Sequence, residues 1–365
     1  MSENMCFKKI VLVGFLLINV GIAIGQSHDK KVMHEKMDAL DEYLQYAVVN
    51  NEFSGQVLVA DDQHIWLDKG YGYADRREEI EIDEKTVFYI GEAAGQFTVT
   101  AILKLEEEGK LSVIDNLSKF FSEVPSDKGD ITIHHLITHT SGLPESLGGE
   151  YEIITRNKMI KNAMETKLLY KPGEKYSYSR IGYNLLAAII EIVTGEYYED
   201  YLHDKLFKKA HMHQTGYTIP KYSDKDIAVG YTKGYKWGKP AEHVLGTTGP
   251  SWYSKGISGF MSNAKDLYSW YHAVHGEHII GPDNVYRLYL PQTDMPDANS
   301  IYCYGWVATQ SEWGGGVIKT EGNNDVFYTT YNLYLESGFV IILITNSYNE
   351  TIPDIVARIE QHVFN

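Results

Sequence analysis

Four short stretches of this 365-residue chain carry the side chains that could do chemistry. Glu92 lies in Phe88-Tyr-Ile-Gly-Glu-Ala-Ala-Gly-Gln-Phe-Thr98, three residues before Gly95. Tyr178-Ser179-Arg180 supplies a phenol and a guanidinium. Lys319-Thr320-Glu321-Gly322 adds an ammonium, a hydroxyl and a second carboxylate. The fourth stretch, Ile131 to Pro144, holds His134, His135 and His139. A carboxylate can serve as a general base, and a phenol or an ammonium as proton donor or electrostatic stabiliser. A guanidinium cannot act as a base but can clamp a carboxylate bidentately. The same groups also neutralise one another as inert ion pairs. For Glu92 the plain alternative is a carboxylate favoured by the free N–H groups of a first helical turn. For Arg180 it is a salt bridge to Glu92 or a nearby acid, and for Gly95 a loosened helix start.

Covalent chemistry is harder to place. A serine nucleophile needs a partner that takes its proton, and a lysine three residues later would share its helical face. Ser112, Ser118 and Ser122 have no lysine at that spacing, and Lys128 follows Ser126 by two residues only. The histidines include an i, i+4 pair, but no glutamate completes a His-Glu-x-x-His metal motif. His211 and His213 flank Met212 in a framework-like segment. All five histidines read as structural, so neither a metal nor an organic cofactor is expected.

The elements that must hold these residues follow from periodicity. Lys31 to Val49 has apolar residues at helical spacing, at Met33, Met37, Leu40, Leu44 and Ala47. Gly55 to Ala60 and His64 to Tyr73 read as two strands around the polar turn Asp61-Asp62. Four more short strands are predicted at Tyr302–Thr309, Val317–Thr320, Val326–Leu335 and Phe339–Thr345, before a closing helix from Pro353 to Val363. Between them, helices are predicted over 92–108, 157–165, 182–194 and 264–274. Strands at both ends with helices between imply an α+β fold, an antiparallel sheet completed by both termini with an all-α region inserted. The expected division is a sheet domain from 26–91 and 276–365, a helical domain over 92–275, and a cleft between them.

Residues 1–25 have the pattern of a signal peptide. Lys8 and Lys9 precede an apolar run from Ile10 to Ile24, and Ala23-Ile24-Gly25 places small residues at the cleavage positions. The run is short for a membrane span, which takes roughly 20 apolar residues. An exported protein, periplasmic or extracellular and without a membrane anchor after cleavage, is therefore expected. A net charge of −16 argues against nucleic acid or an anionic membrane surface as partner. Only Cys303 remains beyond the leader, so no internal disulfide is available. The 28 tyrosines and 6 tryptophans suit a ligand cleft or, equally, sheet filling.

The stretches around Glu92 and from Ile131 to Pro144 resemble the serine β-lactamase and penicillin-binding-protein-like family, in its class C, esterase and D-aminopeptidase branch. Pro172 to Gly195, Tyr201 to Gly216, Ser258 to Leu267 and Val340 to Ser347 extend the resemblance across nearly the whole chain after the leader. It implies a β-lactamase/transpeptidase-like fold whose active site lies between an α/β sheet domain and a helical domain. That family reads Phe-x-Ile-Gly-Ser-x-x-Lys-Gln-Phe-Thr at the first motif, where this chain has Glu92 and Gly95. It reads Tyr-x-Asn at the second, where Tyr178 is kept and Arg180 replaces the Asn. It reads Lys or His, a small residue, then Gly at the third, where Lys319 and Thr320 fit and Glu321 intrudes. The resemblance places all these departures in one cleft.

Two readings of that cleft follow. In one, catalysis is lost and the site recognises a small acyl, amide or peptide-like ligand, with Arg180, Thr320 and Glu321 as binding residues. In the other, Glu92, Tyr178 and Lys319 form a repurposed acid/base centre, not necessarily hydrolytic. A third, a serine hydrolase with an unidentified nucleophile, finds no Ser-x-x-Lys near the helix that follows Glu92.

Overall fold

The two ends of the chain meet in one sheet. In the computed structural model, which describes residues 29–50, 53–149, 152–243, 245–246, 249–297 and 299–365, the first helix is α1 (Lys30–Asn50). The leader expected over 1–25 lies outside the described residues. The strands β1 (Gly55–Ala60) and β2 (Ile65–Tyr71) follow, and a second helix, α2 (Gly95–Glu107), begins after a 3-10 turn at Gly91–Ala94. Then come α3 (Arg156–Glu165), α4 (Arg180–Thr194) and α5 (Ala264–His275). The C-terminal part contributes β3 (Thr293–Asp294), β4 (Ile301–Tyr302), β5 (Val307–Gln310), β6 (Gly316–Asn323), β7 (Tyr328–Tyr334), β8 (Val340–Thr345) and α6 (Ile352–Phe364). The eight strands form one sheet in the order β3-β4-β5-β6-β7-β8-β1-β2, antiparallel at every pairing. The N-terminal hairpin thus docks on the last strand of the chain, with Gly55 opposite Thr345 and Ala60 opposite Val340.

Alternation along the strands splits the core in two. Val57, Val59, Val317, Tyr334, Ile341 and Leu343 face α1 and α6, whose apolar stripes bury Met33, Met37, Leu40 and Leu44 on one helix and Ile352, Ile355, Ile359 and Val363 on the other. Leu58, Ala60, Ala308, Ile318, Tyr331 and Ile342 face the other way, into the core shared with the helical part. There α4 is apolar almost all round, with Leu185, Leu186, Ala187, Ala188, Ile189 and Ile190 all buried, as befits a helix enclosed by others.

The observed elements refine several expected ones. The stretch Tyr302–Thr309 is two short strands rather than one, parted by a turn with Gly305 at φ 80°. The strand expected at Val317–Thr320 runs on to Asn323. The stretch 92–275 also contains small strands, Gly230–Thr232 pairing with Tyr235–Gly238 and Met261–Ser262 pairing with Phe88–Tyr89 just before it. By packing, α5 belongs with the sheet, although the expected helical domain ran to 275. Its first N–H donates to Gln56 Oε1 at 3.0 Å, and Tyr271 hydrogen-bonds Asp62 at the β1–β2 turn. Among the described residues no helix is long and apolar enough to cross a membrane.

Candidate functional site

The site is built where β6 outruns its neighbour. Pairing with β5 stops at Val307 opposite Lys319, while pairing with β7 continues to Asn323 opposite Tyr328. The β5-side edge of residues 320–323 is therefore left open, and the turn carrying Glu92 packs against it. Two glycines allow this approach. Gly91 has φ 56°, and a Cβ on it would lie 2.9 Å from Gly322 Cα. A Cβ on Gly322 would lie 2.1 Å from Ile90 O and 2.8 Å from Glu92 N. Backbone touches backbone here, which only glycine permits.

This contact points the Glu92 carboxylate at two donors from different elements. Asn323 N donates to Oε2 at 3.1 Å, and Arg180 Nη2 donates to Oε1 at 3.0 Å. The ion pair is partly wetted, with 21% of the Arg180 side chain and 19% of the Glu92 side chain exposed. Solvent screening limits such a pair to about 1 kcal/mol. Arg180 is aimed by the start of α4. Ser179 caps the helix by accepting from Gly182 N at 3.3 Å, and its own hydroxyl donates to Pro144 O at 2.7 Å.

Behind this pair lies an aromatic cluster. His139 Nδ1 accepts from Ser179 N at 3.1 Å, which assigns the ring proton to Nε2. The ring sits 4.7 Å from Tyr178, 4.8 Å from Tyr183 and 4.9 Å from Tyr302 by centroid. Burial holds this imidazole neutral, with its pKa lowered to about 3. Burial and the negative charge of Glu92 push the Tyr178 phenol well above its usual range, so it stays protonated. The Tyr178 hydroxyl and His139 Nε2 are both buried without a hydrogen-bond partner among the described residues. A buried polar group left unpaired costs about 1–3 kcal/mol.

At Gly95 a side chain would be crowded. A Cβ there would stand 3.0 Å from Ile257 Cδ1 and 3.2 Å from Tyr183 Cε1. Tyr183 is fixed in turn, its hydroxyl donating to Ile137 O at 3.1 Å and lying 2.8 Å from the Tyr302 hydroxyl.

Of the residues singled out in the sequence, the structure brings together Glu92, Tyr178 and Arg180. It does not bring Lys319 to them. Lys319 alternates with Val317 and Glu321 on the face beneath α1 and α6, and its ammonium lies 3.4 Å from Glu321. Glu321 also accepts from the Tyr328 hydroxyl at 2.8 Å. The expectation that Lys319 and Glu321 line the same cleft as Glu92 is thereby corrected, because the two-residue period of the strand sends both to the opposite face. Thr320, one residue on, is turned toward the helical side together with Ile318. Sequence reasoning missed Asn323, whose contribution is a backbone N–H, and the filling of the Gly95 space by Tyr183 and Ile257. Neither leaves a motif, since both depend on how separate elements meet. Among the described residues no group of three or more His, Cys, Asp or Glu could hold a metal ion.

Comparison with known proteins agrees with this architecture. The family model described as Beta-lactamase matches residues 41–362. A putative penicillin-binding protein, PbpX, of Bacillus subtilis is 30% identical over 300 residues, covering 81% of this chain and 71% of that protein. Protein flp of Staphylococcus aureus is 26% identical over 355 residues, covering 92% of this chain and 68% of its own length. Among solved structures, a D-amino acid amidase from Ochrobactrum anthropi superposes with a TM-score of 0.78 at 18% identity, over 90% of this chain and 98% of that one. A penicillin binding protein from Bacillus halodurans gives 0.75 at 24%, over 87% and 98%. These two superpositions speak for the fold alone.

Proposed function

The chain belongs to the beta-lactamase family, and we propose that it works without that family's acyl-enzyme chemistry, as a protein that recognises a small acyl, amide or peptide-like ligand in the cleft at Glu92. The observation that carries this reading is the state of Glu92. Both carboxylate oxygens are engaged, one by Arg180 and one by Asn323 N, at the point where a nucleophile would have to be free. Gly95 supports it, since it offers no proton-accepting side chain and one added there would press on Tyr183 and Ile257. The expected leader over 1–25 makes this an exported protein in the same reading.

A repurposed acid/base enzyme is the second reading. It would need an ammonium beside Glu92 and Tyr178, and Lys319 is instead paired with Glu321. What favours it is the protonated Tyr178 hydroxyl, which has no hydrogen-bond partner among the described residues.

The test is turnover and intact-mass analysis with activated esters, D-amino-acid amides and a chromogenic β-lactam, for the native chain and Glu92→Gln, followed by thermal-shift screening of acyl, amide and peptide-like compounds. No adduct and no turnover, together with a melting shift from one ligand class, is the expected result. Turnover lost in Glu92→Gln would establish the acid/base reading. A stable adduct on any serine would overturn both.

A further inference from the structure

We infer that the cavity beside the C-terminal half of α4 is a second binding site, for a small organic anion with an aromatic body, in which Lys255 meets the charge and Trp252 the ring. The inference is independent of the reading of the Glu92 cleft. The cavity holds about 360 Å3, and its walls include Arg156 at the start of α3, Glu191 on α4, and Tyr197, Trp252 and Lys255. Cavities of this order suit small molecules. Glu191 follows Arg180 on α4 by eleven residues, roughly 16 Å along a helix that rises about 1.5 Å per residue. None of the lining residues belongs to the Glu92 site.

The walls are held by hydrogen bonds that leave one cation over. Both Glu191 oxygens are engaged, Oε2 accepting from Arg156 Nη1 at 2.7 Å and Oε1 from Tyr198 N at 3.0 Å. The first contact balances Arg156, and the second fixes the backbone beside Tyr197. Lys255 N donates to Ser251 O at 3.0 Å, a helical turn that brings Trp252 and Lys255, three residues apart, to one side. The Lys255 ammonium lies 5.0 Å from the centre of the Trp252 ring, and no hydrogen bond or ion pair meets it among the described residues. Burial draws its pKa below the ordinary lysine value, against the pull of Glu191, Glu199 and Asp200. Glu199 is itself saturated, accepting from the N–H groups of Tyr217, Thr218 and Ile219 and from the Thr218 hydroxyl. Lys255 is thus a half-buried ammonium on a cavity wall, with three donors and no acceptor. An incoming carboxylate supplies one, while a neutral ligand leaves the charge unmatched and a cation meets Lys255 and Arg156 together. Trp252 and the exposed ring of Tyr197 supply apolar area for the body of the ligand.

The experiment uses the full chain and para-fluorobenzoate as probe, read by fluorine NMR, with para-fluorobenzamide as the neutral control and sodium chloride holding the ionic strength. The native chain should bind the acid, and bind the amide about fivefold or more weaker. Lys255→Gln should weaken the acid by about fivefold or more, Lys255→Arg should keep most of its affinity, and Trp252→Leu should weaken acid and amide alike. If Lys255→Gln does not fold, Tyr197→Ala, at an exposed ring, probes the same wall and should weaken binding by about twofold or more. Glu92→Gln should leave binding of the acid unchanged. Equal binding of acid and amide, binding unchanged in whichever of Lys255→Gln and Tyr197→Ala fold, or no binding by the native chain would overturn the inference. Loss of binding in Glu92→Gln would move the acid to the other cleft and overturn it as well. Binding of the acid as expected, with no ligand class shifting the melting through Glu92, would sink the reading of that cleft and leave this one standing.

Discussion

The ring of Tyr183 stands where a side chain on Gly95 would have to go, its Cε1 atom 3.2 Å from the Cβ position. Tyr183 cannot easily retreat, being hydrogen-bonded to Ile137 O and to Tyr302. A side chain at position 95 would therefore need Tyr183 or Ile257 to shift.

Restoring the missing residues should not restore the chemistry. Glu92→Ser and Glu92→Ser/Gly95→Lys are expected to form no mass adduct with a chromogenic β-lactam. The Gly95→Lys change should destabilise the fold by about 1–3 kcal/mol through overpacking, read by urea denaturation. Adding Tyr183→Ala to the double variant should recover part of that loss.

The link between Glu92 and Arg180 is measurable by a double-mutant cycle. Arg180→Gln removes the guanidinium from Glu92 Oε1, and Glu92→Gln removes the carboxylate charge from Arg180 Nη2. A coupling energy of about 1 kcal/mol is expected at low salt, shrinking as salt is added. Coupling near zero would mean that solvent already screens the pair.

Acid should weaken the fold through His139. Its folded pKa, about 3, lies below the ordinary 6.5, so between those values the unfolded chain binds the proton that the folded one refuses. Stability is then fully present above about pH 6.5 and is lost as pH falls toward 3. Urea midpoints measured across that window should slope less steeply in His139→Gln than in the native chain.

Removing the Tyr178 hydroxyl separates the two functional readings. Because that hydroxyl is buried without a partner among the described residues, Tyr178→Phe should leave stability unchanged or raise it by up to about 1 kcal/mol. A ligand that still shifts melting in this variant does not need the phenol. Loss of a measurable turnover would instead assign the hydroxyl to catalysis.

Cys303 should be silent in the native protein. It is buried, and burial pushes its thiol up to about 12. A thiol reagent should label it only as the core opens, at a rate that rises with urea.

The order of elements, the two-faced sheet and its closing helices were legible in the sequence, because burial imposes a period on each segment by itself. Met33, Met37, Leu40 and Leu44 announce α1 whatever it packs against. The departures at Glu92, Gly95, Arg180 and Glu321 were equally visible, since residue identity needs no coordinates. What only the tertiary structure decided is which of them meet. The strand period assigns Lys319 and Thr320 to opposite faces, but which face looks into the cleft depends on where α1 and α6 dock. That Glu92 answers to Asn323 N depends on β5 ending early and on two glycines touching across the gap. Those contacts join residues far apart in the chain through backbone atoms that every residue possesses, so no side-chain pattern records them.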